Sequence, residues 1–312
     1  MEARNLTSII EFILVGLTND RKNQILLFVV TLLLYSLSIA GNTVVIILVQ
    51  TDSRLHTPMY FFLTHLAGVE ICYITTTLPQ MLFNLMTGNG VISLTRCAIQ
   101  MHLILTLGGT ECILLAAMAY DRYLAICHPL LYAILMSRGH QLQLASASWA
   151  WGILLATINV SCTFRHQFCG PNHVNHFICE LPVVLKLACT NTQVTELVVF
   201  STATLILVGP LSVILTSYGL ILSTVLKVKT KAGRQKAFST CASHLAVVTV
   251  FYGTVITMYM RPGLGTASDF DKHIAVFYIM VTPLLNPIIY TLRNKDIHAA
   301  VAKLMGNGVW NK

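Results

Sequence analysis

Two carboxylates stand inside stretches that otherwise lack charge. Glu70 falls within the run that opens near Pro58, and Glu111 is the only Asp, Glu, Lys or Arg between 97 and 120. An acid at mid-membrane depth is costly and marks a functional position by default. Two such acids near one another repel unless they share a proton or a cation. Both are expected to face the interior, either as protonated hydrogen-bond donors or, the favoured reading, as hard oxygen ligands. Asp121-Arg122-Tyr123 puts a guanidinium at the inner end of another run. Arg never deprotonates and its fork can trade partners; its plainer role is to snorkel and complement a helix C-terminus. Asn286-Pro287 breaks a backbone ladder, with Tyr290 one turn on, a break tolerated where neighbours re-satisfy the freed carbonyl. No His-Glu-x-x-His or Gly-x-Ser-x-Gly pattern occurs, and the 11 His lack metal-ligand spacing. The sequence therefore offers no catalytic residues, and an enzyme is not expected.

The elements that position these groups follow from composition. Of 312 residues, 55% are hydrophobic and 10% charged, against about 25% charged in a soluble domain. With a mean hydropathy of +0.71, this excludes an ordinary cytosolic globule and disorder alike. The net charge is +8, but the basic residues are too sparse for a nucleic-acid face. The solvent is lipid. Stretches 23–51, 71–95, 139–164, 197–226, 237–260 and 273–292 are free of Asp, Glu, Lys and Arg and reach the about 20 residues that span a bilayer. The stretch 97–120 makes a seventh. They do not alternate, which excludes a β-barrel.

The expected fold is an all-α membrane protein, a seven-transmembrane helix bundle. It comprises an extracellular tail 1–22, helices near 23–51, 57–86, 96–128, 139–163, 195–228, 235–261 and 271–293, and a cytoplasmic tail 294–312. The Lys227–Lys236 loop, with five cations and no acid, belongs inside and contacts anionic lipid. That places the N-terminus outside, although Arg21 and Lys22 locally oppose it. Asn5-Leu6-Thr7 is a glycosylation sequon usable only on that side. The apolar patch Phe12–Leu17 is too short for a signal-peptide core, so the first helix is expected to serve as an uncleaved anchor. Ile297, Val301 and Leu304 recur at helical spacing, which predicts a short amphipathic helix along the inner surface. Cys97, Cys169, Cys179 and Cys189 fall on the outer side, where disulfides persist, and allow three pairings. Cys72, Cys112, Cys127, Cys162 and Cys241 read as small buried hydrophobes.

Four motifs stand in order at characteristic spacings: Pro58-Met59-Tyr60-Phe61-Phe62-Leu63, Met118-Ala119-Tyr120-Asp121-Arg122-Tyr123 running on to Ala125-Ile126-Cys127-His128-Pro129, Lys236-Ala237-Phe238-Ser239-Thr240-Cys241-Ala242-Ser243-His244, and Pro283-Leu284-Leu285-Asn286-Pro287-Ile288-Ile289-Tyr290. From Gly41-Asn42 to Asn294 the chain resembles the vertebrate olfactory receptors, a branch of the rhodopsin-like G-protein-coupled receptors, and is most similar to the tetrapod-type class. Phe251-Tyr252-Gly253 stands where most rhodopsin-like receptors carry a Trp and a kinking Pro. That departure is usual for olfactory receptors, and a tryptophan switch does not transfer.

The resemblance implies several roles. Asp121 holds Arg122 at rest, and Arg122, with Tyr123, meets a G protein when active. A hinge at Asn286-Pro287 swings Tyr290 towards Tyr218. Glu70, Glu111, Asn42 and Asn286 surround an internal sodium ion, with no other cofactor expected. Cys97 pairs with Cys179 and Cys169 with Cys189, tying down a long outer loop that lids the cavity.

The ligand-facing positions implied on the third helix are Ile104, Leu105, Gly108 and Gly109. The glycine pair either opens cavity volume or lets helices pack closely. Thr202, Ala203 and Ile206 face it from the fifth helix, Tyr252, Val255, Ile256 and Tyr259 from the sixth, and Ile279 from the seventh. With no acid or base expected at ligand depth, the sequence predicts a small neutral volatile ligand, hydrogen-bonded by Thr202 or Tyr259. Binding shifts the population towards an active state. A stimulatory-type heterotrimeric G protein then raises cyclic AMP at the plasma membrane, by resemblance that of olfactory cilia. The rival class is a transporter or channel with a midplane acidic ion site, against which inverted repeats are missing.

Overall fold

A computed structural model describes residues 9–169, 171–227, 231–260, 269–292, 297 and 299–302. Asn5, Lys229, Arg293, Asn294, Lys295, Lys303, Leu304 and Lys312 lie outside the described residues, as do the side chains at 231–240, 243, 269–271 and 290–292. Six helical segments run Arg21–Thr51, Pro58–Thr87, Leu94–Cys127, Arg138–Phe164, Gln193–Leu226 and Lys231–Tyr259. The seventh is built of Asp269–Val276, a π-turn Phe277–Val281 and Thr282–Leu292. Six are long and apolar enough to cross a membrane, and His244–Tyr259 gives the sixth helix a shorter apolar stretch. The chain is a multi-pass seven-helix bundle.

Local chemistry sets the ends. Pro58 occupies the first turn of the second helix, where its missing N–H costs nothing. Ser93 caps the third by accepting from the Arg96 N–H. Arg21, the cation that opposed the charge rule, donates to the Leu85 and Met86 carbonyls at 3.0 Å each. It thereby satisfies acceptors that the end of the second helix leaves open. A helix C-terminus also attracts a cation.

The third helix is the most buried of the long apolar helices described and packs against the second, fourth and fifth, while the first packs on the second and seventh. The two glycines of the third helix divide the roles that spacing left open. A Cβ on Gly109 would meet the Gly152 Cα at 3.4 Å, and one on Gly152 would meet Thr110 Oγ1 at 2.5 Å and the Thr106 carbonyl oxygen at 2.6 Å. Gly109 and Gly152 thus let the third and fourth helices touch. A Cβ on Gly108 meets nothing within 4 Å; that glycine opens space.

On the outer side, β1 (Glu11–Leu14) lies between antiparallel β2 (Val91–Ser93) and parallel β3 (His173–Val174). The tail therefore shares a side with the loops after the second and fourth helices. The patch at Phe12 is a structural plug: Phe12 and Leu14 are buried with Phe168, Val174, Cys179 and Leu181 in a second core. On the inner side, residues 297 and 299–302 are helical, with Ile297 and Ala300 buried in the main core and Val301 packed against it.

Candidate ligand cavity and inner coupling face

Both disulfides form, Cys97–Cys179 and Cys169–Cys189. The first anchors the outer loop on the third helix, where the Cys179 N–H also donates to Gln100 Oε1 at 3.0 Å. Leu181, two residues on, becomes the roof of a cavity of about 90 Å³, several times the about 10–15 Å³ that one water needs.

Nine of the expected positions line it: Ile104, Leu105, Gly108, Gly109, Thr202, Ala203, Ile206, Val255 and Tyr259. Three do not. On the sixth helix the lining stripe is Phe251, Val255, Tyr259, at i, i+4, i+8. Tyr252 and Ile256 lie one residue round. Tyr252 is buried and donates to the Cys112 carbonyl at 3.1 Å, fastening the sixth helix to the third. On the seventh helix the π-turn at Phe277–Val281 inserts an extra residue into the ladder and rotates the face. Tyr278 therefore lines the cavity, while Ile279 is fully buried in the core.

The fourth helix was missed altogether. Gly152, Leu155, Ala156 and Asn159 complete the wall. Asn159, an amide inside a charge-free span, was the signal that could have found it.

Polar groups also differ from expectation. Thr202 Oγ1 donates to protein acceptors, lying 3.0 Å from Asn159 Oδ1, 2.9 Å from the Val198 carbonyl and 3.0 Å from that of Val199. Tyr259 and Tyr278 donate their hydroxyls to Glu180 Oε1 at 3.2 and 3.1 Å. Neither Thr202 nor Tyr259 thus keeps its proton for a ligand. Glu180 itself, 2% exposed, is an acid that sequence reasoning overlooked above the cavity. His176 Nε2 stands 3.1 Å from Glu180 Oε2, while Nδ1 accepts from the Ile178 N–H. Burial, and then the Lys272 cation, push the His176 imidazole down to about 3, so it is neutral near pH 7 and carries its proton on Nε2.

At the floor, Glu70 and Glu111 both reach the cavity lining. The expectation of no acid at ligand depth is therefore wrong: the second and third helices bring both carboxyls up against it. Both are buried, and a single amide serves the two. Asn286 Nδ2 donates to Glu70 Oε1 and, at 3.5 Å, to Glu111 Oε1. Asn42 does not join them. Its Nδ2 donates to the Pro283 carbonyl at 3.1 Å, the acceptor left open four residues before Pro287. The donor set has the hard oxygens a sodium ion takes. As placed, both carboxyls meet the donor side of the Asn286 amide, and two acids so close share either a proton or a cation.

At the inner end, Asp121 is buried and accepts from the Tyr132 hydroxyl at 2.7 Å. Among the described residues no ion pair joins it to Arg122, contrary to the expected hold. The tyrosine takes the carboxylate, and Arg122 lies within electrostatic reach of Tyr218, Cys241 and His244. Tyr123 bonds His128 Nε2 at 2.8 Å, and Tyr218 bonds His244 Nδ1 at 2.7 Å, linking the fifth and sixth helices. Pro287 sits inside the seventh helix with its Cγ within 3.2 Å of where a Cβ on Gly41 would lie.

A family profile described as olfactory receptor matches residues 31–307. The chain belongs to the olfactory receptor family. This olfactory receptor is 48% identical over 307 residues to human olfactory receptor 6B1, covering 97% of each chain. It is 47% identical over 301 residues to human olfactory receptor 2G3, covering 96% of this chain and 97% of that one. Mouse olfactory receptor 5T7 is 46% identical over 305 residues, 98% of each chain. Squid rhodopsin matches the receptor's fold with a TM-score of 0.75 at 16% identity, over 91% of this chain and 81% of that one. Rhodopsin-like receptors of this family are not enzymes, and the transporter or channel reading falls away.

Proposed function

We propose that this olfactory receptor binds a small, neutral, volatile molecule in the cavity between its helices and activates a stimulatory-type heterotrimeric G protein, raising cyclic AMP. The observation that carries the reading is the cavity itself, walled mainly by aliphatic residues of the third to sixth helices and roofed by Leu181. Small-molecule sites have that composition, with a few placed polar groups. A carboxylate ligand would face Glu70 and Glu111 below and Glu180 above. An ammonium would have to part an acid pair already bonded to Asn286, at a desolvation cost. The active arrangement would free Arg122 and the surrounding inner surface for the G protein, with Asn286-Pro287 as the hinge and Tyr290 moving towards Tyr218. The site of action would be the plasma membrane, in olfactory cilia.

Gly108→Leu tests the reading. A side chain there grows into open space and should abolish responses to neutral volatiles while surface expression is kept. Undiminished potency in that variant would show that the ligand binds elsewhere.

A further inference from the structure

Asn159 is a polar side chain of the cavity wall with an amide proton to spare. It is 7% exposed and lines the cavity. Its amide is oriented twice over: Oδ1 accepts from the Thr202 hydroxyl at 3.0 Å, and Nδ2 donates to the Leu155 carbonyl at 2.8 Å. Those two contacts settle which end of the amide is which, an assignment that rests on the hydrogen-bond network. Nδ2 carries two protons, and Leu155 takes one. Among the described residues the second has no acceptor. Three of the cavity's hydroxyls are already committed. The protons of Thr202, Tyr259 and Tyr278 go to protein oxygens, and Tyr73, the remaining tyrosine of the lining, packs edge-on against Tyr278.

We propose that Asn159 reads the ligand: its free amide N–H donates to an acceptor oxygen, so the preferred ligands are carbonyl compounds, namely aldehydes, ketones and esters. Thr202 is a positioning residue that acts through Asn159 and does not touch the ligand with its proton. This inference rests on the cavity being the odorant site. A buried N–H without a partner carries the full desolvation penalty. A carbonyl relieves it and needs nothing in return. A hydrocarbon of the same shape leaves it unrelieved. An alcohol relieves it but must also place its own proton.

The experiment uses the full-length receptor in cells with a sensor of G-protein dissociation and surface-matched expression. The probes are small ketones, aldehydes and esters, each matched to the alcohol and hydrocarbon of the same carbon skeleton. The unsubstituted receptor should rank carbonyl compounds first and hydrocarbons last. Asn159→Leu, close in volume and without the donor, should weaken carbonyl agonists by roughly five- to tenfold or more and flatten the ranking. Thr202→Val should weaken the same agonists, and Thr202→Ser should restore them; this pair decides the matter if Asn159→Leu does not reach the surface. Gly108→Leu separates the role of Asn159 from the cavity as the odorant site. Carbonyl responses lost in Gly108→Leu but kept in both Asn159→Leu and Thr202→Val would overturn the role of Asn159 and leave the cavity reading intact. Responses kept in Gly108→Leu would overturn the cavity reading itself. A receptor at the surface that answers hydrocarbons as well as carbonyls, or no carbonyl at all, would also overturn the proposal.

Discussion

Asn42 and Pro287 belong to motifs far apart in sequence, and one hydrogen bond explains why both are needed. Pro287 cannot donate to the Pro283 carbonyl, and Asn42 does so from the first helix. Asn42→Ala should therefore cost about 1–3 kcal/mol, read as a lower Tm of purified receptor. An unchanged Tm would mean that the carbonyl finds another donor. His176 makes a second residue-scale prediction. Its folded pKa, about 3, lies below the usual histidine value of about 6.5. Between those values the unfolded chain binds more protons, so stability falls as pH drops through that window and is unaffected above it. Tm should fall more steeply between pH 7 and 5 than in His176→Asn. Equal slopes would contradict a buried neutral imidazole. Residues such as Arg122, Asn286 and the four outer cysteines were legible because each sits in a motif or on a definable side. Glu180 and Asn159 were not, since their meaning depends on which tyrosines and threonine fold against them.

Helices were easy to read as elements, and their rotation was not. A long charge-free run announces a span, yet its apolar face is nearly featureless in lipid, so spacing alone cannot say which stripe faces inward. The sixth helix turned by one residue from the expected stripe, and the π-turn moved the seventh from Ile279 to Tyr278. The glycines of the third and fourth helices give the element-scale test. Gly152→Ala pushes a Cβ against Thr110 and the Thr106 carbonyl and should cost about 1–3 kcal/mol by overpacking. Gly108→Ala, which meets nothing, should fall within about 0.5 kcal/mol of the parent. Comparable Tm losses in both would refute the division between a packing glycine and a cavity glycine.

The whole molecule stacks an outer lid held by Cys97–Cys179, a cavity with an acid pair at its floor, and an inner face around Arg122. Two buried carboxyls that meet on one amide repel unless they share a proton or a cation, and replacing sodium by a bulky organic cation separates the two: with a shared proton, agonist potency stays nearly unchanged. An allosteric sodium ion shows instead a coupling of about 1–3 kcal/mol, or roughly 5–150-fold in potency. Cyclic AMP in cells expressing the receptor, screened against neutral volatiles beside Arg122→Ala at matched surface expression, decides whether the bundle is an odorant receptor that signals through Arg122. Agonists are expected whose signal disappears in the variant. A response that survives the loss of Arg122, or silence to every neutral volatile at confirmed surface expression, would contradict that reading.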